Sequence, residues 1–309
     1  MRRWLRRIGI ALLALIVVLT SASFAFNELT NGRERPAAAL YRGPYVVVAR
    51  TRLAYRHWGA SGSPVVLLGG FVEPTWVWDR VAPLLARRHR VYAVDLPPFG
   101  YSQRRGPYTV EHWDALVEAF DRRLRIARPG VVGHSLGAAV AASIAFSKPR
   151  DVSSIVLLDG DALPIGGAPR WAAHLIVDPY YTSIFRIVTG SDRLVGRILR
   201  GALAPDAPKP RHAELELWER QFRVAGTAHA FRDLASSGHN GISLAELRGI
   251  RVPSLVAWGR YDTVDDLTAG RTTARMLRAP FVVIPKAGHL SMLGNPRAVA
   301  AAIERRSGA

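Results

Sequence analysis

Two kinds of apolar pattern share this chain. Residues 45–49 and 53–58 alternate apolar with polar on either side of a short polar turn, which predicts an antiparallel hairpin at a sheet edge. Continuous apolar runs then begin at Val65, Val91, Val131, Ile155, Ser254 and Phe281, with helix-spaced stretches between them. Strands apolar on both faces and separated by helices predict an α/β fold, a mostly parallel, doubly wound sheet covered on both sides. The interval 163–247 breaks the alternation. It is helical in pattern, as in Glu214-Leu215-Glu216-Leu217-Trp218-Glu219-Arg220-Gln221-Phe222, and interrupts the strand series as an insertion.

The N-terminus follows neither pattern. Met1-Arg2-Arg3-Trp4-Leu5-Arg6-Arg7 precedes an uncharged run over residues 8–26. Its apolar core from Ile8 to Leu19 fits a signal peptide, and the whole run nearly meets the roughly 20 residues that span a bilayer. Residues 1–26 are therefore read as a signal-anchor or a signal peptide, with Ser23-x-Ala25 as the cleavage candidate and bulky Phe24 and Phe26 against it. Four arginines before the run place the N-terminus in the cytoplasm and the rest of the chain outside, membrane-anchored or secreted after cleavage. A linker over 27–44 follows, then 45–162 and 248–305 as the sheet domain and 163–247 as the helical insertion.

The 309 residues, less the leader and linker, suit one large α/β domain with an insertion. The formal charge of +18 ordinarily suggests nucleic acid, but only Lys148, Lys209 and Lys286 are lysine and the arginines are spread from end to end. That spread predicts no nucleic-acid partner. Anionic lipid is the surface it does suit, at about 1 kcal/mol per nearby cation. No cysteine is present, and the nine histidines lack metal-ligand spacing, so neither a disulfide nor a catalytic metal is expected.

The candidate chemistry centres on Gly133-His134-Ser135-Leu136-Gly137, entered from Val131-Val132 and followed by the small-residue run Ala138-Ala139-Val140-Ala141-Ala142. A serine on a sharp strand-to-helix turn needs glycine two residues to either side, because a Cβ there meets the neighbouring strand or helix. Such a nucleophile needs a base and an orienting acid, in chain order Ser, Asp or Glu, His. The run ending at Trp258 is followed by Gly259-Arg260-Tyr261-Asp262, and the run from Phe281 by Lys286-Ala287-Gly288-His289. Ser135, Asp262 and His289 are accordingly the catalytic candidates. Asp159 and Asp161 compete for the acid role, while Asp265 and Asp266 suit the start of a helix running to Leu277.

With these motifs the chain resembles the α/β-hydrolase superfamily over about residues 45–305. Val65-Val66-Leu67-Leu68-Gly69-Gly70-Phe71 matches the strand and oxyanion loop, Trp76 to Leu85 the helix after it, and Asp95-Leu96-Pro97-Pro98-Phe99-Gly100-Tyr101-Ser102 the family's Asp-x-Pro-Gly-x-Gly-x-Ser stretch. Gly69 stands where histidine is common and Pro98 where glycine is common; neither residue performs the chemistry. The resemblance implies an oxyanion hole from the backbone N–H groups of Phe71 and Leu136, and a helical cap at 163–247 over the site. Trp171, Tyr180, Tyr181, Ile184 and Phe185 either line an apolar pocket in that cap or pack it. Serine at the elbow separates the chain from the dehalogenase and epoxide-hydrolase branches. A serine hydrolase of a carboxylic ester or related acyl compound, without cofactor, is expected. Carbon–carbon bond hydrolysis, cofactor-free perhydrolysis and a silent surface protein are the alternatives on the same fold.

Overall fold

The computed structural model describes residues 2–164, 177–237 and 241–307. An uncharged apolar core makes α1 (Arg2–Asn31) a continuous rod, and α2 (Ala37–Leu40) leads from it into the hairpin β1 (Tyr45–Val48) and β2 (Thr51–Trp58). Then come β3 (Ser63–Leu68), a 3₁₀ turn (Thr75–Trp78), α3 (Ala82–Leu85), β4 (His89–Val94) and α4 (Val110–Leu124). The glycine-flanked Ser135 lies between β5 (Gly130–His134) and α5 (Leu136–Ser147), and β6 (Ser154–Leu158) closes this half. The insertion holds α6 (Tyr180–Thr189), α7 (Asp192–Ala202), α8 (His212–Arg220), a 3₁₀ turn (Gln221–Arg223) and α9 (Thr227–Ser236). After α10 (Leu244–Gly249) the sheet resumes with β7 (Ser254–Gly259), α11 (Leu267–Leu277), β8 (Phe281–Ile284), α12 (Ser291–Gly294) and α13 (Pro296–Ser307).

The eight strands form one sheet in the order β1-β2-β4-β3-β5-β6-β7-β8. The β1–β2 pair at the sheet edge is antiparallel, as the alternating hairpin predicted, and so is β2–β4, while the other pairs of the sheet are parallel. Neighbouring residues on each strand feed opposite faces. Val66, Leu68, Val131, Ile155, Leu157, Val256 and Trp258 pack towards one core, and Val65, Leu67, Val132, Val156, Leu158, Leu255 and Ala257 towards the other. Helix α5 is apolar on every side, and all but a few of its residues are buried, as a helix wedged against the sheet must be.

Two local expectations differ from what is seen. The single helix expected from Trp76 to Leu85 is a 3₁₀ turn and then α3, because Pro83 has no N–H to continue a helix but fits the first turn of a new one. The segment 27–44, expected as a linker, is helical over 27–31 and 37–40, and its first residues are tied down. Asn27 Nδ2 donates to the Pro179 carbonyl at 2.9 Å, and the Arg186 guanidinium spans the Asn27 carbonyl, Thr30 Oγ1, Asn31 Oδ1 and Glu34 Oε1 at 2.6–2.9 Å. Ser23 and Ser183 share a hydroxyl bond of 2.7 Å, and Thr20 bonds the Tyr180 hydroxyl. The C-terminal half of α1 thus docks along α6 through polar contacts, while Ile10 to Leu19 remain exposed.

Candidate active site

Ser135 is held between β5 and α5 at φ 49°, a left-handed conformation that non-glycine residues rarely adopt. The turn is that tight because the flanking glycines permit it. A Cβ on Gly133 would lie 2.1 Å from the Gly137 carbonyl oxygen, and one on Gly137 would lie 2.7 Å from the Leu68 and Gly69 carbonyls. Ser135 N–H donates to the Leu158 carbonyl at 2.9 Å, which pins the elbow to β6.

The loops after β7 and β8 converge on this serine. His289 Nε2 stands 3.1 Å from Ser135 Oγ, and His289 Nδ1 stands 2.9 Å from Asp262 Oδ2. Asp262 Oδ1 accepts the N–H groups of Val264 and Asp265 at 2.9 and 3.1 Å, leaving Oδ2 for the imidazole. The competing acids have other work. Asp159 Oδ1 accepts Gly259 N–H at 2.6 Å, and its Oδ2 accepts the Ser291 hydroxyl. Asp161 accepts Leu163 N–H at 2.9 Å, and Asp266 caps α11 through Thr268 and Ala269.

Leu136 opens α5, so its N–H is among those a helix leaves without an internal acceptor. Phe71 N–H has no acceptor among the described residues. The Phe71 side chain is about half exposed and stands edge-on to Phe99 and Phe231 at 5.5 and 5.8 Å. Phe185 and Phe222 extend the cluster into the insertion, with centroid separations of 5.5 and 5.8 Å to Phe231. Of the residues suggested for a pocket, Phe185 and its neighbour Tyr181 reach this aromatic wall. Tyr180 instead meets α1, Ile184 is exposed, and Trp171 lies outside the described residues.

Sequence reading missed a buried ionic network behind the elbow. His134 is fully buried, with Nδ1 2.8 Å from Glu73 Oε2 and Nε2 2.7 Å from the His289 carbonyl oxygen. A carbonyl only accepts, so Nε2 carries a proton, and Nδ1 faces a carboxylate. Burial alone lowers the His134 pKa, but Glu73 and Asp159 outweigh it and hold the imidazole well above its ordinary value. Glu73 Oε2 also takes Gly70 N–H at 2.6 Å, so one carboxylate joins the loop after β3 to the end of β5. There is no room here for the family's usual histidine, since a Cβ on Gly69 would lie 2.8 Å from the Glu73 carbonyl oxygen. His134 lies inside the pentapeptide at one of its unspecified positions, and nothing local marks it as buried and charged.

A raised folded-state pKa stabilises the fold fully below the unfolded value and loses that stabilisation as pH climbs through the folded value. The thermal-midpoint advantage of the native protein over His134→Gln is therefore expected to shrink on going from about pH 6 towards pH 10. A pH-independent difference in midpoint would show that His134 is not charged in the fold.

The fold and this constellation define an α/β-type hydrolase. The chain belongs to the alpha/beta hydrolase family, whose model matches residues 65–302. It is 24% identical over 242 residues to the uncharacterized hydrolase YugF of Bacillus subtilis (strain 168), covering 76% of this chain and 87% of that one. It is 26% identical over 254 residues to a pimeloyl-[acyl-carrier protein] methyl ester esterase of Nitrosomonas europaea, covering 76% and 92%. Among solved structures, a membrane phospholipase A described as a bacterial virulence factor superposes with a TM-score of 0.68 at 25% identity, over 97% of this chain and 96% of that one. The enol-lactonase of Burkholderia xenovorans LB400 shares the fold with a TM-score of 0.73 at 21% identity, over 86% and 100%.

Proposed function

We propose that this hydrolase cleaves acyl esters through an acyl-enzyme on Ser135. The observation that carries the reading is the continuous Ser135–His289–Asp262 hydrogen-bond relay, with a strained serine at its head. His289 takes the Ser135 proton as Oγ attacks the ester carbonyl, and the N–H groups of Phe71 and Leu136 receive the developing oxyanion. His289 then protonates the departing alkoxide. Water repeats the sequence on the acyl-enzyme, with Asp262 holding the imidazole tautomer and offsetting its charge. The direct test is labelling of the native chain by a fluorophosphonate probe; persistent labelling of Ser135→Ala would sink the assignment.

The substrate we propose is an acyl ester of membrane lipid. Phe71, Phe99, Phe185, Phe222 and Phe231 form one aromatic cluster, and its member Phe71 follows Gly70, where a Cβ would lie 2.8 Å from the Ser135 Cβ. The end-to-end likeness to a membrane phospholipase A supports the same class. Fatty-acid release from phospholipid in mixed micelles is expected to exceed turnover of a short-chain ester at equal concentration. Turnover confined to short-chain esters would refute the lipid assignment.

In this reading α1 stays on the protein as an anchor. Residues 3–31 combine a mean hydropathy of 2.5 in the best window with an exposed apolar surface. Cleavage after Ala25 would also discard the Thr20 and Ser23 contacts to α6. The protein is expected to sediment with membranes, to resist high salt and to be released by detergent. Salt screens charge pairing beyond about 8 Å but leaves an inserted apolar helix in place. A mature N-terminus near Phe26 would refute the anchor.

A further inference from the structure

Gln221 opens the 3₁₀ turn after α8, is fully buried, and uses both ends of its amide on loops of the sheet domain. Nε2 donates to the Val72 carbonyl at 2.9 Å, and Oε1 accepts Gly100 N–H at 2.9 Å. Val72 is the residue after Phe71 and sits at φ 65°, a left-handed conformation that β-branched side chains resist. The Phe71–Val72 corner is therefore strained, and it keeps its shape only if its surroundings hold it.

The turn that carries Gln221 is itself held from a distant part of the chain. Arg35 N–H donates to the Arg223 carbonyl at 2.7 Å, and Ala225 N–H donates back to the Arg35 carbonyl at 2.9 Å, a two-bond bridge centred on Arg35 and Val224. Arg35 lies just beyond the end of α1, whose last turns are docked on α6. The half-buried Arg104 guanidinium locks the other side, donating to the Gln221 carbonyl at 2.9 Å and the Gly100 carbonyl at 2.8 Å. Hydrogen bonds thus link the segment leaving the N-terminal helix to the Val72–Glu73 peptide, whose N–H donates at 3.3 Å to the Gly70 carbonyl of the peptide that carries Phe71 N–H.

We propose that Gln221 is a positioning residue for the oxyanion loop, and that seating of the Arg35 segment against Arg223 and Ala225 sets the aim of Phe71 N–H through it. The inference rests on Phe71 N–H being an oxyanion donor. Such a donor acts only when its N–H sits within hydrogen-bond reach of the transition-state oxygen, so displacing the loop lowers kcat more than it weakens substrate binding.

The test uses the full-length enzyme in detergent micelles with a soluble ester. Gln221→Glu keeps the size and the acceptor for Gly100 N–H but turns a carboxylate oxygen towards the Val72 carbonyl. It is expected to lower kcat about tenfold or more, short of the 10²–10³ for complete loss of a donor, with KM within about threefold. Arg35→Pro removes the N–H that bonds Arg223 together with the guanidinium, whereas Arg35→Ala removes the guanidinium and keeps that N–H; the first is expected to lower kcat about threefold and the second to leave it unchanged. In the double variant Arg35→Pro should add nothing, because the two changes act on one linkage. Unchanged kcat in Gln221→Glu, a rise in KM alone, or full additivity each overturns the proposal. If Gln221→Glu does not fold, unchanged kcat in folded Arg35→Pro overturns it. Loss of activity in Ser135→Ala shows in each case that the acyl-enzyme reading itself stands, whereas an active Ser135→Ala overturns that reading.

Discussion

Replacing Ser135 with alanine is expected to lower kcat by a factor on the order of 10⁴–10⁶ while leaving the fold intact. Among the described residues its hydroxyl bonds only His289 Nε2, so the loss falls on chemistry. His289→Ala should cost about as much, and the double variant no more than either single one, because nucleophile and base act as a unit. Steady-state rates on a chromogenic ester, with circular dichroism as the check on folding, decide it. A Ser135→Ala enzyme retaining even a tenth of native turnover would rule out the serine as nucleophile.

The second large effect is expected at the acid. Asp262→Asn preserves shape and the bonds to Val264 and Asp265, but its amide can present a donor to His289 Nδ1 and stabilise the wrong tautomer. A loss of about 10⁴ in kcat is expected from that change alone. Asp159→Asn is the informative partner. Asp159 bonds Gly259 N–H and the Ser291 hydroxyl rather than His289, so its replacement should lower the thermal midpoint and spare most of kcat. Were Asp159→Asn the crippling change and Asp262→Asn the mild one, the acid assignment would be reversed.

The sheet was legible in the sequence because burial on both faces leaves a plain record. Six apolar runs, each a few residues long and each bounded by turn residues, became six parallel strands in one sheet. The elbow was legible for a related reason, since its glycines are required by contacts made within a few residues, as between Gly133 and Gly137. Asp266 as the cap of α11 follows from local chemistry as well.

Local pattern determined the order of elements, the hairpin edge and the points where Ser135, Asp262 and His289 leave the strands. It left the choice between Asp159 and Asp262 open, because both follow strands and only the path of the loops sets which carboxylate meets an imidazole. It gave no sign of Glu73 and His134, whose partners lie 61 residues apart in sequence. Nor did it mark Gln221, which reaches Val72 across 149 residues. A buried polar group must find a partner, but sequence spacing carries no information about a partner supplied by another loop. Those pairings, and the docking of α1 along α6, were decided only when the sheet brought distant loops to one edge.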